Sequence, residues 1–162
     1  MKKTVSFRYY YFIVSLLFLA WFLLLLPIRE QWLWLRPQWL FLTVIYVLLA
    51  LPQVVGLGFA WTAGLVTDSL TGGLWGKYAL GTLAVAYLAR SLRYRLKIYP
   101  LWQQLAAVLL MVSVGNLSLF FVDWLTGHPP KTGLYWLPIL SSVIVWPGLY
   151  RLLQIYEKKI LS

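Results

Sequence analysis

The sequence has no cysteine, one histidine and only four acidic residues among its 162 residues. The absence of cysteine excludes disulfides, thiolate metal sites, iron–sulfur clusters and cysteine nucleophiles. The single imidazole, on His128, argues against a histidine-based metal site. The sequence also lacks a phosphate-binding GxxxxGK[ST] loop, a GxSxG nucleophile motif and a strand followed by GxGxxG. We therefore expect no catalytic, cofactor or metal site, and no enzyme activity.

Charged residues of either sign make up only 11% of the chain, whereas 62% of residues are hydrophobic and the mean hydropathy is +0.78. A soluble domain of this size needs a charged surface that this composition cannot supply. In lipid, every backbone polar group must be satisfied internally, and the apolar runs are long enough to do this as helices. The composition predicts an all-α integral membrane protein, a compact bundle of about six transmembrane helices in one multi-pass domain over residues 1–162.

Apolar runs divide the chain into six predicted spans: 9–26, 38–52, 53–71, 74–90, 99–124 and 134–154. The second is short and closes at Pro52, so it must tilt, borrow loop residues or stop partway through the bilayer. If the runs around Pro52 form a re-entrant hairpin, four full spans remain. Pro147 and Gly148 predict a kink in the last span.

Lysine and arginine side chains are distributed unevenly over the predicted loops. With a cytoplasmic N-terminus, the inner side holds Lys2, Lys3, Arg8, Arg90, Arg93, Arg95, Lys97, Arg151, Lys158 and Lys159. The outer side holds Arg29, Arg36, Lys77 and Lys131. The positive-inside rule then places both termini in the cytoplasm. The net charge of +10 indicates contact with anionic membrane lipids and not with nucleic acid.

Small residues recur every four positions in the third run, as Gly56, Ala60, Gly64, Asp68 and Gly72, with Gly76 in the turn that follows. On a helix they form a strip that lets two backbones approach closely. The strip serves either packing inside the bundle, which we favour, or contact with a partner protein. Asp68 is either a functional carboxylate at membrane depth or a cap for the next helix.

The fifth run carries three polar residues at offsets of three and seven: Ser113, Asn116 and Asp123. Facing one way on a helix, they predict a polar seam that fixes helix register inside the bundle. Two alternatives stay open. Ser113, Asn116 and Asp68 line a small-molecule cavity, or Asp68 and Asp123 pair as the two carboxylates of an intramembrane hydrolase.

A basic cytoplasmic loop is predicted after the fourth run, with Arg90, Arg93, Arg95 and Lys97. Its favoured role is to orient the protein in the membrane. The alternative is a docking site for an acidic cytoplasmic partner or an anionic lipid. If the fourth helix continues beyond the membrane, three of these residues share one helical face.

Short motifs in a fixed order resemble those of the MreD family of rod shape-determining membrane proteins of bacteria. They are Arg36-Pro37-Gln38-Trp39, Leu49-Ala50-Leu51-Pro52, the set Gly58, Gly64, Asp68, Gly72 and Gly76, Leu101-Trp102-Gln103-Gln104, and Trp146-Pro147. Each motif is weak alone, but together they extend over most of the chain. The first span and the extreme C-terminus contribute little to the resemblance.

The resemblance implies a non-enzymatic component of the cell-wall elongation machinery in the bacterial inner membrane. Such a protein is required for rod shape, binds MreC, and helps to position or regulate peptidoglycan synthesis together with MreB, RodA and the elongation-specific class B penicillin-binding protein. The family is also similar in fold to the substrate-binding subunits of vitamin-uptake transporters. A small-molecule or lipid-binding transport subunit is therefore the alternative. Candidate contact residues for MreC are Trp32, Trp34, Trp39, the turn 68–76 and the basic loop.

Overall fold

The computed structural model describes residues 7–162, which form seven α-helices, one short 3₁₀ helix and no strand. The α-helices are α1 (Phe7–Leu25), α2 (Glu30–Leu33), α3 (Trp39–Ala50), α4 (Leu57–Thr71), α5 (Lys77–Ile98), α6 (Leu101–Leu125) and α7 (Leu137–Leu161). The 3₁₀ helix, Gly133–Trp136, directly precedes α7. Lys2 and Lys3, which the topology prediction assigns to the inner side, lie outside the described residues.

Three helical segments are long and apolar enough to cross a membrane: Phe7–Leu25, Leu101–Leu125 and Gly133–Leu161. The helical membrane class predicted from composition is confirmed. The boundaries of α6 agree closely with the predicted fifth span because Pro100 precedes its first turn, where the missing N–H costs nothing.

Helix α3 lies at the centre of the bundle and packs against α1, α5, α6 and α7. All of residues 40–49 are buried, including the polar Thr43. A helix that is apolar on every side has no polar face that must contact water, so it can be surrounded by other helices and form the core of the fold. With 12 residues and a rise of 1.5 Å per residue, α3 is about 18 Å long, shorter than a bilayer core of about 30 Å.

Helix α5 corrects the prediction of a basic loop, because the helix continues past the fourth apolar span. The span was expected to end at residue 90, but the helix continues to Ile98, so the four basic residues belong to its last turns. Hydropathy reports where a chain leaves the bilayer, whereas arginine and lysine are good helix formers in water. The connection to α6 is only Tyr99 and Pro100, and Tyr99 is extended, as the residue before a proline prefers.

Successive long helices run in opposite directions, so the bundle has two distinct ends. Near one end, the ring of Phe12 in α1 lies 5.5 Å from that of Tyr156 in α7. This end, called the basic end below, carries Arg8, Arg90, Arg93, Arg95, Lys97, Arg151, Lys158 and Lys159. The other end, called the opposite end, carries Arg29, Arg36, Lys77 and Lys131 together with Glu30, Asp68 and Asp123. The start of α1 and the end of α7 therefore share the basic end.

Candidate functional site

Asp68 lies in the last turns of α4 and is 1% exposed. Its Oδ1 accepts a hydrogen bond from the Tyr78 N–H at 2.8 Å. Its Oδ2 accepts from the N–H groups of Gly76 at 2.9 Å and Ala79 at 3.3 Å. These donors belong to the start of α5, where the first N–H groups have no partner within the helix. Asp68 thus makes the hydrogen bonds that a helix cap requires, across the turn from its own helix.

Two glycines make the α4–α5 turn tight enough for this cap. Gly72 ends α4 with φ of 64°, and Gly76 precedes α5 with φ of 99°. Both values lie in the left-handed region, which costs glycine little and other residues more. Gly76, the residue that precedes α5, has no side chain that could cap the helix. Asp68, eight residues earlier, supplies the hydrogen-bond acceptors instead.

A cleft of about 570 Å³ opens beside this turn at the opposite end. Asp68, Lys77, Asp123 and His128 are among its lining residues. The Lys77 Nζ lies 2.8 Å from the Asp123 carboxylate, and the two side chains are 23% and 13% exposed. Both carboxylates that the hydrolase alternative requires therefore border one cleft, but each has a separate partner: backbone N–H groups for Asp68 and an ammonium for Asp123.

The centre of the small-residue strip packs against α5. A Cβ added to Gly64 would lie 2.4 Å from the Ala79 Cα and 2.4 Å from the Thr82 Oγ1, so only glycine fits. The Thr82 hydroxyl donates to the Ala60 carbonyl at 2.8 Å. Gly56, in contrast, has no atom within 4 Å of an added Cβ. The strip thus joins α4 to α5 at its middle and forms turns at its ends.

The three residues of the predicted polar seam have different surroundings. Asn116 is buried; its Oδ1 accepts from the Gln38 Nε2 at 3.2 Å, and its Nδ2 donates to the Tyr135 carbonyl at 3.3 Å. Ser113 instead donates to the Leu109 carbonyl of its own helix. Asp123 pairs with a lysine, as described above. Asp123 thus shares a cleft with Asp68, whereas Ser113 and Asn116 are not among the residues that line it.

The segment before α3 connects three helices, a role that the residues alone did not reveal. The Arg36 guanidinium donates to the carbonyls of Leu24 and Leu26 at the end of α1, where a cation also complements the helix dipole. The Gln38 N–H donates to the Ser142 Oγ of α7 at 2.8 Å. The only signal in the sequence was the Arg36-Pro37-Gln38-Trp39 motif of the family resemblance.

A second group of polar contacts lies toward the basic end and was also missed. The Trp146 Nε1 donates to the Gln104 Oε1 at 3.3 Å, and the Gln104 Nε2 donates to the Leu96 carbonyl at 3.4 Å. The Tyr46 hydroxyl donates to the Glu157 carboxylate at 2.6 Å. Two motifs of the resemblance, around residues 101–104 and 146–147, thus meet through one hydrogen bond.

Large aromatic side chains are exposed at the opposite end. Of the predicted contact residues, Trp32 is 57% exposed, whereas Trp34 and Trp39 are partly buried. Trp75 belongs to the predicted contact turn 68–76, although it was not named individually, and it is 76% exposed. The hydrogen bonds between Asp68 and the start of α5 fix the backbone of this turn, so the backbone that carries Trp75 is ordered.

The basic residues of α5 form an exposed cationic surface at the other end of the bundle. Arg90, Arg95 and Lys97 are exposed, while Arg93 is half-buried with its guanidinium 4.5 Å from the Tyr94 ring centre. Within residues 7–162, the one salt bridge joins Lys77 to Asp123 at the opposite end. These four cations are therefore not neutralised by acidic side chains of the described chain.

Comparison with known proteins places these features in a family. The model of the family "rod shape-determining protein MreD" matches residues 5–156. The chain is 28% identical over 151 residues to the rod shape-determining protein MreD of Haemophilus influenzae, covering 91% of each chain. No solved structure matches. The resemblance found in the motifs is confirmed: the chain belongs to the MreD family of rod shape-determining proteins.

Proposed function

We propose that this protein is a non-enzymatic membrane component of the bacterial cell-wall elongation machinery that binds MreC. Family membership supports a role in rod shape. One observation carries the non-enzymatic part: Asp68 and Asp123, the two carboxylates that the hydrolase alternative requires, are both engaged in contacts that hold helices together. An acid–base pair would instead need carboxylates that are free to exchange protons with a substrate in the cleft.

The surface we propose for MreC lies at the opposite end, around Trp75 and Trp32. Exposed aromatic residues are enriched among interface anchors because they bury a large area with few rotatable bonds. The α4–α5 turn holds Trp75 on a backbone tied to Asp68, so little ordering is needed on binding. The periplasmic base of MreC would contact this surface, and the MreC transmembrane helix would lie against the bundle.

We also propose six spans in the inner membrane with both termini in the cytoplasm, the short α3 crossing together with the loop residues that flank it. The excess of arginine and lysine at the basic end supports this orientation. The cationic turns of α5 would then face the cytoplasm, on the side of MreB, while RodA and the class B penicillin-binding protein would associate within the membrane. The protein would act by position, restricting where the wall synthase is active.

Co-purification from detergent tests the proposal directly. Tagged protein should retain MreC, and depletion of the protein should produce round cells. A well-folded protein that never retains MreC, in cells whose shape survives depletion, would remove the proposal.

A matched pair of tryptophans tests the surface. Trp75→Ala should reduce MreC recovery at least tenfold, since interface anchors cost about 2 kcal/mol or more on truncation. Trp102→Ala is the control, because Trp102 is 68% exposed but begins α6 at the basic end. Equal losses in the two variants would exclude the opposite end as the contact surface.

A further inference from the structure

An apolar groove of about 560 Å³ runs along the bundle between α1 and α7. Leu16 and Leu153 form its buried floor, while Phe18, Phe22 and Leu152 form exposed walls. Two hydroxyl groups lie at one end of the groove and form a hydrogen bond, in which the Tyr156 hydroxyl donates to the Ser15 Oγ at 3.1 Å. The groove thus offers hydrocarbon contacts over most of its length and a polar boundary at a single end.

That polar boundary points toward the basic end of the bundle. Phe12 in α1 is level with Tyr156 in α7, because their rings are 5.5 Å apart. From there Ser15 to Phe22, and Tyr156 back to Leu149, run away from the basic end. At 1.5 Å per residue, this part of the groove is about 10 Å long.

Two basic residues continue the two walls of the groove. Arg8 precedes Ser15 by seven residues, and Lys159 follows Leu152 by seven. Seven residues are nearly two helical turns, so each basic residue lies on the groove side of its helix, beyond the polar boundary. Both are exposed, and the one salt bridge of residues 7–162 involves neither of them. The apolar groove and the two basic residues beyond its polar end are therefore complementary to a molecule with an apolar chain and an anionic head.

We infer that the α1–α7 groove binds one anionic phospholipid, with an acyl chain between Phe18, Phe22 and Leu152 and its phosphate held by Arg8 and Lys159. Charge selects the head group, because basic side chains near a membrane surface attract anionic lipids. The apolar walls of the groove favour an acyl chain, because each CH₂ group that is buried contributes favourably to binding. This site is separate from the MreC surface proposed above and lies toward the other end of the bundle.

Native mass spectrometry of the purified full-length protein tests the lipid. The protein is exposed in detergent to phosphatidylglycerol or phosphatidylcholine with identical acyl chains. We expect one retained phosphatidylglycerol and much less phosphatidylcholine. The double variant Arg8→Gln, Lys159→Gln should bind phosphatidylglycerol roughly 25-fold more weakly, since each basic group contributes about 1 kcal/mol and 1.4 kcal/mol is tenfold.

The matched control removes the same charge at the same end. Arg90→Gln, Arg95→Gln alters two exposed residues of α5, a helix that packs against α3, α4 and α6, and should change binding less than twofold. Equal retention of the two lipids, or equal weakening by the two double variants, would overturn the inference. All four substitutions are at exposed positions, so each variant can be verified as folded by its unfolding temperature.

A photocrosslinker in place of Phe18 identifies the occupant in cells. We expect adducts enriched in anionic phospholipid relative to those formed from Leu117, an exposed residue of α6 that reports the bulk lipid. Adducts at Phe18 that match the bulk composition would overturn the inference. A crosslink to another protein, or to a second copy of this chain, would also overturn it.

Discussion

Removing the Asp68 carboxylate should destabilise the fold rather than abolish a reaction. Asp68→Ala leaves three N–H groups at the start of α5, including that of the preceding Gly76, without their acceptors, and the bond from Ala79 is fully buried. An unsatisfied buried donor costs about 1–3 kcal/mol, and loss of an ordinary N-cap about 1 kcal/mol. Water can reach the two partly buried donors, so the expected loss in free energy of unfolding is about 2–4 kcal/mol.

Unfolding in mixed micelles, followed by tryptophan fluorescence, measures this loss. Asp68→Asn keeps one acceptor oxygen and should lose about half as much. Ser69→Ala is the matched control: its hydroxyl is exposed and bonds to Leu65 of its own helix, so its effect should stay within about 0.5 kcal/mol. If Asp68→Ala unfolds like the wild type yet cells lose their rod shape at normal protein levels, the carboxylate has a direct function and the reasoning is refuted.

Substitutions at the other close contacts should change the free energy of unfolding in the same assay. Gly64→Ala should lose about 1–3 kcal/mol, because the added Cβ meets the backbone of Ala79 at 2.4 Å, while Gly58→Ala, with open space, should be neutral or stabilising. Asn116→Leu should lose about 1–3 kcal/mol by leaving two groups unpaired; a harmless change would contradict its connecting role. Lys77→Gln should cost at most about 1 kcal/mol, because this pair is partly exposed, and a larger loss would show that the ion pair is essential to the turn.

Hydropathy and proline positions predicted most of the helices correctly. Helix α6 was predicted almost to the residue because Pro100 marks its start and its apolar run has no interruption. Helix α5 continues to Ile98, beyond the fourth predicted span, because its charged last turns are not part of the apolar run. An apolar run indicates which part of a helix contacts lipid. It does not indicate where the helix ends, because a helix can continue into water with the same backbone hydrogen bonds.

Contacts between distant residues were the part that the sequence did not predict. Gln38 meets Asn116 and Ser142 across separations of 78 and 104 residues, and no periodicity links such positions. The small-residue strip was a useful guide at Gly64, where a close approach does occur. The predicted polar seam was less useful, since a serine in a helix can bond to its own backbone, as Ser113 does.

Site-specific photocrosslinking in living cells tests the central claim, that this protein acts by contact with MreC through the opposite end of the bundle. A crosslinking residue at Trp75 should capture MreC, and the same residue at Trp102 should not. Efficient capture from position 102 with none from position 75, in cells that keep their rod shape, would contradict the account.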